Sequence, residues 1–181
     1  MTYMSIEVKI EEHVSANALF KLKSLDFEVW GLPEDDAART IYVTSDIIAV
    51  VTPPFADTRE GERLGQFRAW LDGFIEGNDL SVAEDPDRKP PDAMLARVKP
   101  VEDEFWSIRV TDPHDTPGIR SFGAFSDLDT LIALTWIMRE DIEDFDEEVI
   151  DAMATWDDYF SPARPHRGAS LDEYLSTCHP V

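Results

Sequence analysis

Between residues 105 and 138 the chain has one alternating segment, FWSIRV at 105–110, followed by the mostly apolar runs 119–125 and 130–138. The pattern predicts three strands, over residues 105–110, 119–125 and 130–138. The first connection, residues 111–118, is rich in proline and glycine, and the second is a short turn with the sequence FSDLD. We therefore predict an antiparallel meander of three strands.

A helix is predicted after the meander, from Asp144 to Phe160. Asp144 and Glu147 have the spacing of a capping box. Apolar side chains then recur on one side of the helix, at Val149, Met153, Trp156 and Phe160. We expect this stripe to pack across the meander.

The first 45 residues predict a β-α-β extension. Residues 3–10 alternate between apolar and polar, which favours a strand. Ser15 is a suitable N-cap for a short helix that reaches Leu25. Residues 27–30 and 39–44 predict two further strands, and the second of these is rich in β-branched residues.

Two more elements are predicted between this extension and the meander. The run DIIAVVT from Asp46 is apolar almost throughout, so we predict a central strand there. Residues 60–76 predict a helix that Asp57 and Glu60 cap and that ends at Gly77. Its apolar face consists of Leu64, Phe67, Leu71, Phe74 and Ile75.

The charge of the chain restricts its partners. It has 181 residues, of which 43% are hydrophobic, so a substantial core can form. Its 38 acidic and 16 basic residues give a net charge of −22. Such a surface repels nucleic-acid phosphates and anionic membranes. It favours basic proteins, divalent cations or imitation of a polyanion, and the alternative is a solvated acidic surface without a specific partner.

The sequence contains no established motif for a cofactor or a catalytic centre, so we expect no cofactor. Cys178 is the single cysteine, the first residues lack the pattern of a signal peptide, and no run approaches the roughly 18 apolar residues of a membrane helix. We therefore expect a cytoplasmic protein. His114, between Asp112 and Asp115, could act as an acid or base, although an exposed turn is the favoured interpretation.

Spaced carboxylates in the last helix could hold a hard cation weakly. Asp144, Glu147, Glu148 and Asp151 include pairs three and four residues apart. No calcium-binding loop accompanies them and no histidine lies nearby in the sequence. We therefore predict no metal site.

Several short motifs together resemble the RelE/ParE toxin superfamily, and within it the phage-derived RelE-like branch. Members of this superfamily have a W-x-[IL]-R strand, a G-[IL]-R-x-[FW] strand, a third strand with basic residues at its end, and a helix with aromatic spacing. The matching pieces here are Trp106-Ser107-Ile108-Arg109, Gly118-Ile119-Arg120-Ser121-Phe122, Arg139, and the helical segment from Ala152 to Tyr159. The resemblance covers roughly 100 residues and leaves the first 45 unexplained.

The resemblance implies a fold, a division of the chain and an activity. The expected fold class is α+β, with a RelE/ParE-like antiparallel meander flanked by helices in residues 46–162. The N-terminal β-α-β extension (1–45) precedes it, and a tail (163–181) follows. The implied activity is ribosome-dependent mRNA cleavage, in which Arg109, Arg120 and Arg139 would contact the phosphate and Tyr159 would stack on a base. The alternative for each arginine is a salt bridge to the abundant carboxylates.

The charges after Arg139 argue against that activity. The segment from Arg139 to Asp158 contains ten carboxylates and one arginine, where the related toxins carry basic residues. We therefore predict a non-catalytic acidic binding or inhibitory protein of phage or mobile-element type. Its partner would be a basic, nucleic-acid-binding protein, and it would act by polyanion mimicry. Direct binding of nucleic acid or membranes is not expected. The predicted contact residues are Glu140, Asp141, Glu143, Glu147, Glu148, Asp151 and Asp158.

Overall fold

The structure is a computed structural model that describes residues 4–31, 33, 37–88, 90–111 and 118–181. Within these residues, eight strands form one mixed sheet in the order β1-β2-β7-β6-β5-β4-β3-β8. The fold class is α+β, as the sequence predicts. The strands are β1 (Leu19–Lys21), β2 (Thr40–Thr44), β3 (Ser81–Ala83), β4 (Leu95–Arg97), β5 (Phe105–Val110), β6 (Ile119–Asp127), β7 (Thr130–Met138) and β8 (His179–Pro180).

The predicted meander is confirmed as the middle of this sheet. β5, β6 and β7 pair antiparallel in sequence order. A register shift after Phe122 leaves Leu134 of β7 without a direct partner. Gly123 is required at this point, because a Cβ atom there would lie 2.0 Å from the carbonyl oxygen of Ile132. The predicted turn that contains His114, Asp112 and Asp115 lies outside the described residues.

The sheet continues beyond the meander on both sides. β2 pairs parallel to β7, and β1 pairs antiparallel to β2. On the opposite side β4 pairs antiparallel to β5, while β3 lies parallel to both β4 and β8. β1, β3, β4 and β8 have only two or three residues each, which is too short for alternation to identify them.

The prediction of an N-terminal β-α-β extension is wrong for all but its last strand. The strand predicted over residues 3–10 is not present in its described part, because helix α1 spans Ile6–Ser15. Apolar residues at every second position also place Ile6 and Ile10 four apart, and these two face the core while Met4 and Val8 are exposed. β1 and helix α2 (Leu25–Trp30) replace the predicted helix and the predicted strand at 27–30.

The predicted central strand at DIIAVVT is also wrong, because helix α3 covers Ser45–Val51. Ile47 and Val51, four residues apart, are fully buried, and Ala49 on the other side is exposed. The helix packs against β2 and β7. A short apolar run is compatible with a buried strand and with a buried helix, so its pattern alone could not decide between them.

The two long helices are confirmed. Helix α4 spans Arg59–Glu76 and ends at Gly77, whose φ of 78° lies in the left-handed region. Its cap is Thr58 and not the predicted Asp57, since the Thr58 side chain accepts a hydrogen bond from the Gly61 N–H at 3.1 Å. Helix α5 spans Phe145–Phe160, and the Asp144 side chain caps it by accepting a hydrogen bond from the Asp146 N–H at 2.9 Å.

Helices cover both faces of the sheet. α3 and α4 pack on one face, over Ile41, Val43 and Ile108 among others, and α1 and α5 pack on the opposite face. The predicted stripe of α5 is confirmed, since Val149, Trp156 and Phe160 are buried and Met153 is half-buried. None of the helices in the described residues is long and apolar enough to cross a membrane.

Glu104 attaches the C-terminal segment to the sheet. The residue is 4% exposed, and its carboxylate accepts hydrogen bonds from the hydroxyl of Tyr174 at 2.5 Å and from Nε of Arg167 at 3.0 Å. Arg97 of β4 also donates to this carboxylate. A buried carboxylate with three donors is stabilised by them, so Glu104 joins β4 to the tail.

We expect the substitution Glu104→Gln to lower the free energy of unfolding by about 2 kcal/mol, because the amide replaces an acceptor of three charged or polar donors. Chemical denaturation at neutral pH measures this difference. Glu102→Gln is the control, because Glu102 lies in the same turn with an exposed side chain. Equal losses in the two variants would contradict the role of Glu104.

Candidate functional site

The three arginines that the resemblance singles out lie together at one end of the meander. Arg109 of β5 and Arg120 of β6 are directly paired across the two strands, so their side chains leave the sheet on the same face. Arg139 follows β7, and its backbone N–H donates to the carbonyl of Gly118 at 2.9 Å. Because Phe122 and Phe105 point to the face that α5 covers, alternation along the strands places Arg109 and Arg120 on that face too. We call these three residues the arginine cluster.

The members of the arginine cluster differ in burial. Arg120 is 7% exposed, and its Nη1 donates to the carbonyl of Ile119 at 3.1 Å. Arg109 is half-buried and donates to the carbonyl of Pro90 at 2.7 Å, whereas Arg139 is exposed. Within the described residues, no salt bridge joins any of the three to a carboxylate.

The positive charges of the three arginines repel one another. Burial, followed by the positive charges of Arg109 and Arg139, lowers the pKa of Arg120 to about 10. Burial and the charge of Arg139 also lower the pKa of Arg109, which Asp92 partly offsets. A guanidinium with a pKa of about 10 keeps its proton at neutral pH. Arg120 is therefore a buried cation, and the charges that act on it from the described residues are those of two other cations, an arrangement that attracts an anion.

Two buried hydroxyl groups lie beside the cluster. Ser107 of β5 and Thr135 of β7 are the cross-strand neighbours of Phe122. This row lies two residues along the strands from the Arg109–Arg120 pair, on the same face of the sheet. The hydroxyl oxygens of Ser107 and Thr135 are buried and have no hydrogen-bond partner in the described part of the chain. Neither residue is among the site residues that the sequence predicts. The available signal was a polar residue at a core-facing position of an otherwise apolar strand.

Tyr159 does not lie with the arginines. It is at the end of α5, where its carbonyl oxygen accepts a hydrogen bond from Nε2 of His13 at 2.7 Å. The start of α5 lies near the arginines, since the rings of Phe145 and Phe122 are 5.3 Å apart. Its last turns lie over the start of β5, where Trp156 contacts Phe105. The base-stacking role that the resemblance implies is therefore not supported by the position of Tyr159.

The predicted carboxylates fall into two groups. Glu147, Asp151 and Asp158 lie on the outward side of α5 and are exposed. They are spaced by four and seven residues, which aligns them along the helix. Glu148 is half-buried beside them, and burial, followed by the charges of Asp151 and Glu147, raises its pKa. We call the carboxylates of α5 at positions 147, 148, 151 and 158 the acidic face.

The other predicted carboxylates precede the helix. Glu140 accepts a hydrogen bond from Arg63 of α4, and this contact lowers the pKa of Glu140. Asp141 and Glu143 are exposed. Glu140 is thus paired with an arginine of the protein although its side chain is exposed, in contrast to the carboxylates of the acidic face. That pairing could not be predicted, because α4 and residue 140 are far apart in the sequence.

Helix α1 adds further negative charge next to α5. Its residues Glu7, Glu11 and Glu12 are exposed, and the helix contacts the end of α5 through the edge of the His13 ring on Tyr159. The nearby Lys9 donates to the backbone carbonyl of Ser161 at 2.6 Å. The sequence does not predict this contribution, because the alternation of residues 3–10 favours a strand.

The described residues contain no group of three or more histidine, cysteine, aspartate or glutamate side chains that could hold a metal ion. Cys178 is half-buried, and burial raises the pKa of its thiol above the ordinary value. A raised pKa lowers the thiolate fraction at neutral pH, so this cysteine lacks the activation that a nucleophile needs.

We expect Arg120→Met to raise the free energy of unfolding at neutral pH by roughly 1–3 kcal/mol, because it removes a buried charge that the described residues do not compensate and keeps a long flexible side chain. Folding lowers the pKa of Arg120, so the cost of its charge is complete below pH 10 and is relieved as the folded protein loses this proton. The difference between variant and parent should therefore be constant from about pH 6 to pH 9 and shrink above it. Chemical denaturation in chloride buffer measures it.

Arg139→Met is the control for this substitution, because Arg139 is exposed. Its effect on the free energy of unfolding should stay within about 0.5 kcal/mol. A decrease in stability on Arg120→Met would mean that a group of the protein neutralises the guanidinium.

Comparison of the chain with protein-family models, with curated proteins and with solved structures gave no match. The function is therefore argued from the geometry of the two charged features, which are the acidic face and the arginine cluster.

Proposed function

We propose that this protein is a non-catalytic acidic binding protein whose partner is a basic protein that binds nucleic acid. The observation that carries the proposal is the outward side of α5. It aligns Glu147, Asp151 and Asp158, and the helix contains no lysine, arginine or histidine to neutralise them. A row of carboxylates on a rigid helix is complementary to the arginines and lysines that contact phosphates in such partners.

The spacing of these carboxylates supports imitation of a polyanion. Glu147 and Asp151 are separated by one helical turn, which corresponds to a rise of about 6 Å along the axis. Asp158 lies about 10 Å further along the same line. The packing of Trp156 and Phe160 in the core holds the helix rigid, so little conformational entropy is lost when a partner binds.

The distribution of the basic residues also supports this proposal. Several arginines donate hydrogen bonds to carboxylates or backbone carbonyls of the protein, namely Arg39, Arg63, Arg68 and Arg97. Their charges are therefore not available at the surface of α5. Solvation alone requires a net charge of only a few units, whereas the chain carries −22.

Calorimetric titration with purified basic ribonucleases, deoxyribonucleases and histone-like proteins tests this function. We expect a partner whose affinity falls at least tenfold between about 50 and about 200 mM salt, as for a protein that contacts phosphates. The variant with Glu147→Gln, Glu148→Gln, Asp151→Asn and Asp158→Asn should lose most of this binding.

A matched control removes four exposed carboxylates elsewhere, with Asp57→Asn, Glu60→Gln, Glu62→Gln and Glu84→Gln. It changes the net charge by the same amount and should keep the binding. If both variants bind equally well, the acidic face is only a solvated surface and the proposal fails.

The second candidate is the mRNA endonuclease activity that the resemblance implies. The convergence of Arg109, Arg120 and Arg139 favours it, while the position of Tyr159 and the acidic surroundings do not. Expression of the protein in bacteria should then arrest growth, and Arg120→Ala should relieve the arrest. Normal growth with the parent protein at confirmed expression would exclude this candidate.

A further inference from the structure

Arg120 does not contribute to the acidic face, so the proposed binding function does not explain its position. It lies on the central strand of the sheet, is 7% exposed, and donates to one backbone carbonyl among the described residues. Buried arginines normally face a carboxylate or several carbonyl groups, because an isolated buried charge is unfavourable. Arg39 illustrates the normal case, with carbonyl oxygens of Asn78 and Thr177 and the carboxylate of Asp129 around its guanidinium.

Within the described residues, the arginine and hydroxyl side chains near Arg120 are hydrogen-bond donors, and Asp92 is a carboxylate whose charge acts on the neighbouring Arg109. Arg109 is its cross-strand partner, and Arg139 is close enough for its charge to act on Arg120. The buried hydroxyls of Ser107 and Thr135 lack hydrogen-bond partners in the described residues. They lie on the same face of the sheet, in the row two residues along the strands from Arg109 and Arg120. Guanidinium groups present forked N–H donors that match the oxygens of phosphate and similar anions, and hydroxyl groups commonly add further hydrogen bonds.

The burial of the cluster restricts the size of the anion. An RNA chain needs an exposed groove along which several phosphates and bases can lie. Arg120 is covered instead, and the nearby ring of Phe122 is in contact with Phe145 at the start of α5. A net charge of −22 also repels a polyanion more strongly than an ion with about two charges.

We propose that Arg109, Arg120 and Arg139 bind a small tetrahedral oxyanion, either free phosphate or the phosphate group of a small molecule. Arg120 forms the buried end of the site, and the exposed Arg139 forms its entrance. The bound anion supplies the negative charge that the described residues do not place beside Arg120. This site is independent of the acidic face and of any protein partner.

Thermal unfolding of the full chain tests the proposal, with inorganic phosphate compared against sodium chloride at equal ionic strength. Phosphate should raise the midpoint of unfolding by a few degrees, with a dependence on concentration that follows mass action. The double variant Arg109→Gln/Arg139→Gln should lose this shift. The control Arg59→Gln/Arg164→Gln removes two exposed arginines from elsewhere and should keep it.

Arg120→Met provides a second, independent measurement. The variant should unfold at a higher temperature than the parent in chloride and should show no further shift with phosphate. Glycerol phosphate, used in place of inorganic phosphate, distinguishes the two sources of the anion. A shift with either compound that the double variant abolishes supports the site.

Three results would overturn the proposal. The first is the absence of a shift with both compounds in the parent. The second is an equal shift in the parent and the double variant, which would indicate a general effect of phosphate. The third is a short single-stranded RNA that binds through the same arginines more tightly than phosphate does. The variant that lacks the acidic face should keep the phosphate shift, so failure of the proposed binding function leaves this test intact.

Discussion

Burial of β6 is the constraint on which the rest of the structure depends. Every residue of this strand from Ile119 to Phe125 is buried, because β5 and β7 pair with its edges and helices cover both of its faces. Such a strand must satisfy its polar groups within the protein. Its backbone achieves this through the ladder, with a glycine where the register shifts. Arg120 is the residue of β6 whose charge the described residues do not neutralise.

The charges of the protein are separated by sign and by depth. Carboxylates occupy the surface, most densely on α5 and α1, where water solvates them. Arginines lie deeper and connect distant segments, as Arg63 does between α4 and Glu140 and Arg39 does between β2 and the chain end. This separation explains how a chain with a net charge of −22 forms one continuous sheet. Most of the negative charges lie at the surface, with the buried Glu104 as an exception, and arginines such as Arg63 and Arg39 stabilise contacts between distant segments.

The sequence predicted the elements whose periodicity is long and unambiguous. β5, α4 and α5 each repeat one spacing over six residues or more, and β7 is a nine-residue, mostly apolar run that follows a short turn. Their type agreed with the prediction, and their bounds agreed to within about one residue. α1 and α3 failed for physical reasons. The apolar residues of α1 satisfy both a two-residue and a four-residue spacing, and α3 is a run of apolar residues without a period. In each case the decision came from which side chains could reach the core once the sheet had formed.

For the candidate site too, the sequence predicts some features and tertiary packing decides the others. The sequence by itself determined the net charge, the row of carboxylates on α5, and the presence of an arginine on or beside each strand of the meander. Only the tertiary structure decided that Arg109 and Arg120 are cross-strand partners, that Arg63 neutralises Glu140, and that Tyr159 lies at the opposite end of α5. The physical reason is that a local pattern specifies which face a side chain occupies. The charges that it meets there come from segments far away in the chain, and their packing fixes the distances.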